Sequence, residues 1–148
     1  MRLHNILTAA ALTVAAALTE NAFAKNVVAP KMYMFGFAAS FNDTIVHMTD
    51  IIEVDSAWID SKTKFLLGVG VYSAQLRNYL ADEQRMPGRT TVVMYSPKRT
   101  GIEKKYLKMK RLYSGGNNRH QYEVRTLSPT EFRFQPVNMS QEEVATEE

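Results

Sequence analysis

The hydrophobic positions of this chain fall into short aromatic or β-branched stretches separated by turn residues, a pattern that predicts β-strands. Residues 31–41 and 44–49 flank the turn pair Asn42-Asp43, so we expect them to form a hairpin. Apolar residues lie on both faces of the first strand, which favours a sheet buried on both sides or an aromatic face at an interface. Residues 90–95 predict another strand.

Two stretches near the C-terminus, residues 121–127 and 131–137, alternate polar and apolar residues and predict two further strands joined by a turn. Residues 65–69 predict a short strand or buried segment before Gly70. Residues 51–60 are ambiguous, because their apolar positions fit a helical stripe and the same segment also fits an extended edge strand.

Two segments carry helical signals. In the first, Ser73 is a candidate N-cap for a helix that runs to about Gln84 and stops before Pro87. In the second, Thr100 and Glu103 have the spacing of a capping box. A stripe then follows at spacings of four, three and four, and a glycine pair at 115–116 predicts the C-cap. The stripe consists of Ile102, Tyr106, Met109 and Tyr113.

This order of elements predicts an α+β fold. We expect a two-layer sandwich, in which a mostly antiparallel sheet of about five strands carries two helices on one face. The expected domain covers residues 25–138, a length that can bury one core without disulfides. Residues 139–148 are acidic and lack a core pattern, so we expect a disordered tail.

The first 24 residues have the layout of a secretory signal peptide. Met1 to Asn5 is short and positively charged, residues 6–18 are apolar or small, and Ala22-Phe23-Ala24 resembles a cleavage site. We therefore expect cleavage after Ala24 and a periplasmic or secreted protein. The chain has no cysteine, which excludes disulfides and a lipid-attached cysteine, and we expect no transmembrane segment in the mature chain.

Charge is unevenly distributed, although the net charge is only +3. Residues 31–60 contain five acids and one basic residue, whereas residues 85–119 contain ten basic residues and one acid, Glu103. Such a basic segment can bind an anionic partner, or it can be a solvated helix face that pairs with the acidic half. Export disfavours nucleic acid as the partner. The anion-binding candidates are Lys98, Arg99, Lys104, Lys105, Lys108 and Arg111.

Candidate catalytic and metal-binding chemistry is sparse. The mature chain has His47 and His120 as its histidines and no HExxH pair, so we expect neither a metal site nor a cofactor. We assign no catalytic residue. The acids between Asp43 and Asp60 leave one alternative open, a small exported hydrolase that uses two carboxylates. The preferred interpretation is a non-catalytic envelope or secreted binding module whose partner is a protein or an anionic polymer.

The run from Tyr33 to Thr44, continuing through Asp50 to Trp58, resembles a group of small exported proteins of uncharacterised function from gut-dwelling Gram-negative bacteria. The resemblance implies a setting in the periplasm or at the cell exterior. It carries over no activity and no site residues.

Overall fold

The computed structural model describes residues 25–115 and 121–140. The predicted signal peptide and most of the acidic tail lie outside these residues. The described residues form five strands and two helices, which confirms the α+β class with a mostly antiparallel sheet. In chain order the elements are β1 (Asn26–Ala39), β2 (Ile45–Thr49), β3 (Ile52–Asp60), α1 (Val69–Asp82), β4 (Thr90–Ser96), α2 (Arg99–Ser114) and β5 (Glu123–Leu127).

The long strand β1 organises the sheet. It pairs antiparallel with β3 from Asn26 to Met34 and with β4 from Tyr33 to Ala39. Its far end pairs antiparallel with β2, which confirms the predicted hairpin. Strand β5 lies parallel to β2. The ambiguous segment 51–60 is therefore a strand, and β1 begins several residues before the predicted start at residue 31.

The two helices cover opposite faces of the sheet, so the prediction that both lie on one face is wrong. Successive side chains of a strand point to opposite faces. Accordingly, Met34 packs in a core cluster with residues of α1, while its neighbour Phe35 packs in a second cluster with residues of α2. This arrangement covers the apolar residues on both faces of β1.

Helix α1 approaches the sheet closely at Gly36. A Cβ atom at Gly36 would overlap the Cδ2 atom of Leu76 and would lie 3.1 Å from the ring of Phe134. Glycine at this position therefore lets α1 and the C-terminal segment pack directly on β1. The amide of Gly36 donates to Thr49 Oγ1 at 2.9 Å, which ties β1 to the end of β2.

Helix α1 begins before the predicted cap. Its N-cap is Gly68, which has a φ of 73° in the left-handed region that glycine adopts without strain. Ser73 lies inside the helix, where its hydroxyl bonds to the Thr91 carbonyl oxygen at 2.9 Å. The strand predicted at 65–69 is reduced to an isolated bridge between Ile59 and Leu66.

Helix α2 also begins earlier than predicted, at Arg99 with Lys98 as its N-cap. The Thr100–Glu103 capping box is wrong, because no side chain caps this terminus and Glu103 accepts a bond from Arg99 instead. At the other end, the Gly115 amide donates to the Arg111 carbonyl, and Gly116 lies outside the described residues. The predicted apolar stripe is confirmed, since its members pack against the sheet.

The segment predicted as a strand at 131–137 is instead an extended strap across α1. The predicted alternation of buried and exposed side chains is confirmed, because Phe132 and Phe134 are buried in the core on the α1 side of the sheet. Two of the strap's backbone amides, however, bond to side chains of α1 rather than to a neighbouring strand. Gln135 N donates to Gln75 Oε1 at 2.8 Å, and Val137 N donates to the Tyr72 hydroxyl at 3.1 Å.

Candidate functional site

Helix α2 is held to the sheet by the stripe that the sequence predicts. Ile102 is fully buried, and the Tyr106 ring packs edge-on against Phe35 with 5.2 Å between ring centroids. Two helical turns further on, Tyr113 packs against Phe37 with 4.7 Å between ring centroids. The opposite side of the helix therefore faces outward along its whole length.

Four of the predicted anion-binding residues share this outward side. At about 100° per residue, their positions fall within an arc of about 120°. All four side chains are exposed. We call this surface the basic face, and it consists of Lys104, Lys105, Lys108 and Arg111.

The remaining two candidates lie elsewhere. Arg99 points along the other flank of α2, where its Nε donates to Glu103 Oε1 at 3.0 Å and its guanidinium lies 5.9 Å from the Tyr33 ring centroid. Lys98 is the N-cap residue, and its backbone amide donates to Ser96 Oγ at 3.2 Å. The structure thus brings four of the six predicted residues together and separates Arg99 from them.

Ion pairs do not neutralise the basic face. Within the described residues, acids pair with Lys31, Arg89, Arg99 and Arg125, and with none of the four residues of the basic face. Lys105 makes a different contact, donating from Nζ to the Tyr95 carbonyl oxygen at 3.2 Å. The acidic and basic halves of the chain therefore do not pair across this surface.

An apolar groove runs beside the basic face, between α2 and β4. It has a volume of about 340 Å³, and its walls are mostly apolar. Around the helix, Leu112 falls between the two lysines that border the groove. Sequence reasoning missed the groove, because it depends on how α2 packs beside the preceding strand β4, which helical spacing alone does not give. The lining residues are Met94, Lys105, Lys108, Met109 and Leu112.

Comparison with known proteins adds no assignment. No family model, curated protein or solved structure matches this chain. Function must therefore be argued from the surface itself.

A second cavity, of about 290 Å³, lies on the other flank of α2 and has mixed polarity. Asp50 and Arg99 bring opposite charges to its wall, and Pro129 and Ile51 complete it. Tyr106 also borders this cavity. Burial, together with the nearby Asp50 carboxylate, raises the pKa of Tyr106 above its ordinary value, so this hydroxyl stays protonated at neutral pH.

A buried polar cluster lies near the start of β4. Arg89 donates to Asp43 and to the Ile45 carbonyl oxygen, while His47 is 1% exposed. Burial, followed by the nearby charges of Arg89 and Arg125, lowers the pKa of His47 to about 4. His47 is thus neutral at pH 7, as expected for a structural histidine. Within the described residues, His47 Nδ1 and Arg89 Nε have no hydrogen-bond partner.

Several acids of the alternative hydrolase are engaged individually. Glu53 pairs with Lys31 at 2.9 Å, and Asp60 accepts bonds from the amides of Lys62 and Thr63 in the turn after β3. No group of three or more metal-ligating side chains occurs in residues 25–115 and 121–140, and His120 falls outside them. Nor is any helix of the described chain long and apolar enough to cross a membrane.

Proposed function

We propose that this chain is an exported, non-catalytic binding module that holds an anionic macromolecule on the basic face of α2. The observation that carries the proposal is the exposed cluster of four basic side chains without an acidic partner in the described parts of the chain. A rigid helix presents these charges, because its inner stripe is packed on the sheet.

Binding is favoured over hydrolysis by the surroundings of the acids. A hydrolase of the carboxylate type needs a general acid and a base that face one substrate. Instead, Asp43 pairs with a buried arginine, and Glu53 pairs with a lysine of the neighbouring strand. Asp60 accepts a hydrogen bond within a turn. We therefore place function on the basic surface rather than on the acidic segment.

Export supports the choice of partner. The sequence of the first 24 residues predicts secretion, so the partner is one met in the periplasm or outside the cell rather than nucleic acid. Long-range attraction to an anionic polymer or an acidic protein would be carried by exposed charges and would be screened within about 10 Å at 0.1 M salt.

The test is retention of the purified protein on immobilised heparin across a salt series. The variant Lys104→Glu/Lys105→Glu/Lys108→Glu reverses the centre of the basic face. A matched control, Lys62→Glu/Arg77→Glu/Arg133→Glu, changes net charge equally at exposed positions away from α2. We expect the wild type and the control to elute at similar, higher salt, and the basic-face variant to elute early.

Equal elution of the basic-face variant and the control would mean that only net charge matters, and it would overturn the proposal. Far-UV circular dichroism of both variants checks that the fold is retained, which we expect because all six positions are exposed.

A further inference from the structure

We propose that the groove between α2 and β4 binds an acidic segment of a partner protein by taking up its apolar side chains, while the basic face contacts its carboxylates. This inference rests on the proposed function and names the class of partner. Two properties of one surface support it: an apolar groove, and lysines placed along its border.

The groove has the size and lining of a side-chain pocket. Its volume of about 340 Å³ is at the small end of the range of roughly 300–1,000 Å³ for ligand pockets. Met94 and Met109 contribute flexible, polarizable side chains that adapt to different apolar groups. Leu112 extends the apolar wall and is 60% exposed, so it offers surface that a partner could cover.

The positive charges beside the groove favour a partner in which acidic residues flank the bound apolar side chain. Lys105 and Lys108 border the groove directly, and Lys104 and Arg111 continue the positive surface around the helix. A partner that fills the groove therefore places its flanking residues against four cations. An acidic peptide with interspersed apolar residues satisfies both requirements at once.

The same features disfavour other anionic partners. An anionic polysaccharide has charge but no apolar chain to place between Met94 and Met109. A membrane-bound amphipathic helix inserts its own apolar stripe among the lipids. In α2 that stripe, which includes Ile102, is packed against the sheet and cannot reach a bilayer.

Binding is expected to occur through side chains rather than by addition of a strand to β4. Two carbonyl oxygens of β4 already accept bonds from helix side chains: Thr91 O from Ser73 Oγ, and Tyr95 O from Lys105 Nζ. Such contacts reduce the capacity of a sheet edge to pair with another chain.

The test uses two synthetic peptides with the same number of glutamates, one with leucines between them and the other with serines. Binding is measured by fluorescence anisotropy at low salt. We expect the leucine peptide to bind about fivefold to tenfold more tightly, as partial burial of an apolar side chain would give. Leu112→Ser should remove most of this difference.

Leu107→Ser is the matched control. Leu107 is an exposed leucine of the same helix, 49% exposed, and it lies beyond Arg111 from the groove. This control should keep the preference for the leucine peptide. Lys105→Glu/Lys108→Glu should weaken binding of both peptides.

The outcomes separate the two proposals. Equal affinity for both peptides, lost on charge reversal, would overturn the groove and leave the basic face standing. An equal effect of Leu107→Ser and Leu112→Ser would overturn the groove as well. Failure to bind either peptide or heparin would overturn both proposals. If the protein binds anionic vesicles but neither peptide, the partner is a lipid surface, and the proposal of an acidic protein segment is overturned.

Discussion

Arg89 donates from Nη2 to the Asp43 carboxylate at 2.5 Å, and its side chain is only 2% exposed. Its Nη1 donates to the Ile45 carbonyl oxygen at 2.7 Å. One buried guanidinium therefore joins the turn between β1 and β2 to the start of β4. The hydrogen bond from the Ile45 amide, followed by Arg89, lowers the pKa of Asp43 below its ordinary value, so this carboxylate stays charged at neutral pH.

Replacing Arg89 should destabilise the fold. Arg89→Ala removes a buried stem and leaves the Ile45 carbonyl without its donor, so we expect a loss of about 3 kcal/mol in the free energy of unfolding. Urea unfolding measures this loss. Arg77→Ala, at an exposed position on α1, should change stability by less than about 0.5 kcal/mol. Similar midpoints for both variants would show that the buried pair contributes nothing to stability.

Stability should fall as the solution becomes mildly acidic, because of His47. Its pKa is lowered from 6.5 to about 4 in the folded state, so between these values the unfolded chain binds a proton that the folded chain does not. The contribution is complete above pH 6.5, decreases as the pH falls toward 4, and amounts to at most about 3 kcal/mol.

Urea unfolding at pH 7.5, 6 and 5 would measure this slope. His47→Gln has no imidazole to protonate, so its stability should vary less over this range than that of the wild type. A wild-type stability that is flat from pH 7.5 to 5 would contradict the assignment of His47 as a buried neutral side chain.

Local patterns identified most elements of the fold. The β1–β2 hairpin, β4 and the stripe of α2 were predicted because alternation, turn residues and helical spacing are properties of neighbouring residues. The starts of both helices were missed for physical reasons. Ser73 bonds to β4 rather than capping α1, and Glu103 pairs with Arg99 rather than with a cap amide.

Features that depend on how separate elements pack together could not be predicted from the sequence. The apolar residues on both faces of β1 favoured either a sheet buried on both sides or an aromatic face at an interface, but nothing local assigned one helix to each face. The strap at 131–137 has strand-like alternation, yet two of its amides bond to Gln75 and Tyr72 of α1. At the candidate site, the clustering of Lys104 with Lys108 followed from helical spacing, whereas the groove depends on Met94 of a separate element.

Export can be tested independently of the fold. The sequence predicts removal of the first 24 residues by cleavage after Ala24. Mass spectrometry of the protein from the periplasm or medium should find Lys25 at the N-terminus. Replacing Ala22 and Ala24 with bulky residues should leave an uncleaved precursor, and an intact Met1 in the exported wild type would contradict the prediction.

The contact between Gly36 and Leu76 provides a test of how α1 packs on β1. Gly36→Ala places a methyl group against Leu76 and Phe134, so we expect a loss of about 1–3 kcal/mol from overpacking. Leu76→Ala alone should cost about 2–5 kcal/mol by leaving a cavity in the core. The double variant should lose less than the sum, because the added methyl occupies space that the leucine vacates. Urea unfolding of all four proteins gives the coupling energy. Strict additivity would mean that α1 does not contact β1 at Gly36, and the packing of α1 on this face of the sheet would have to be revised.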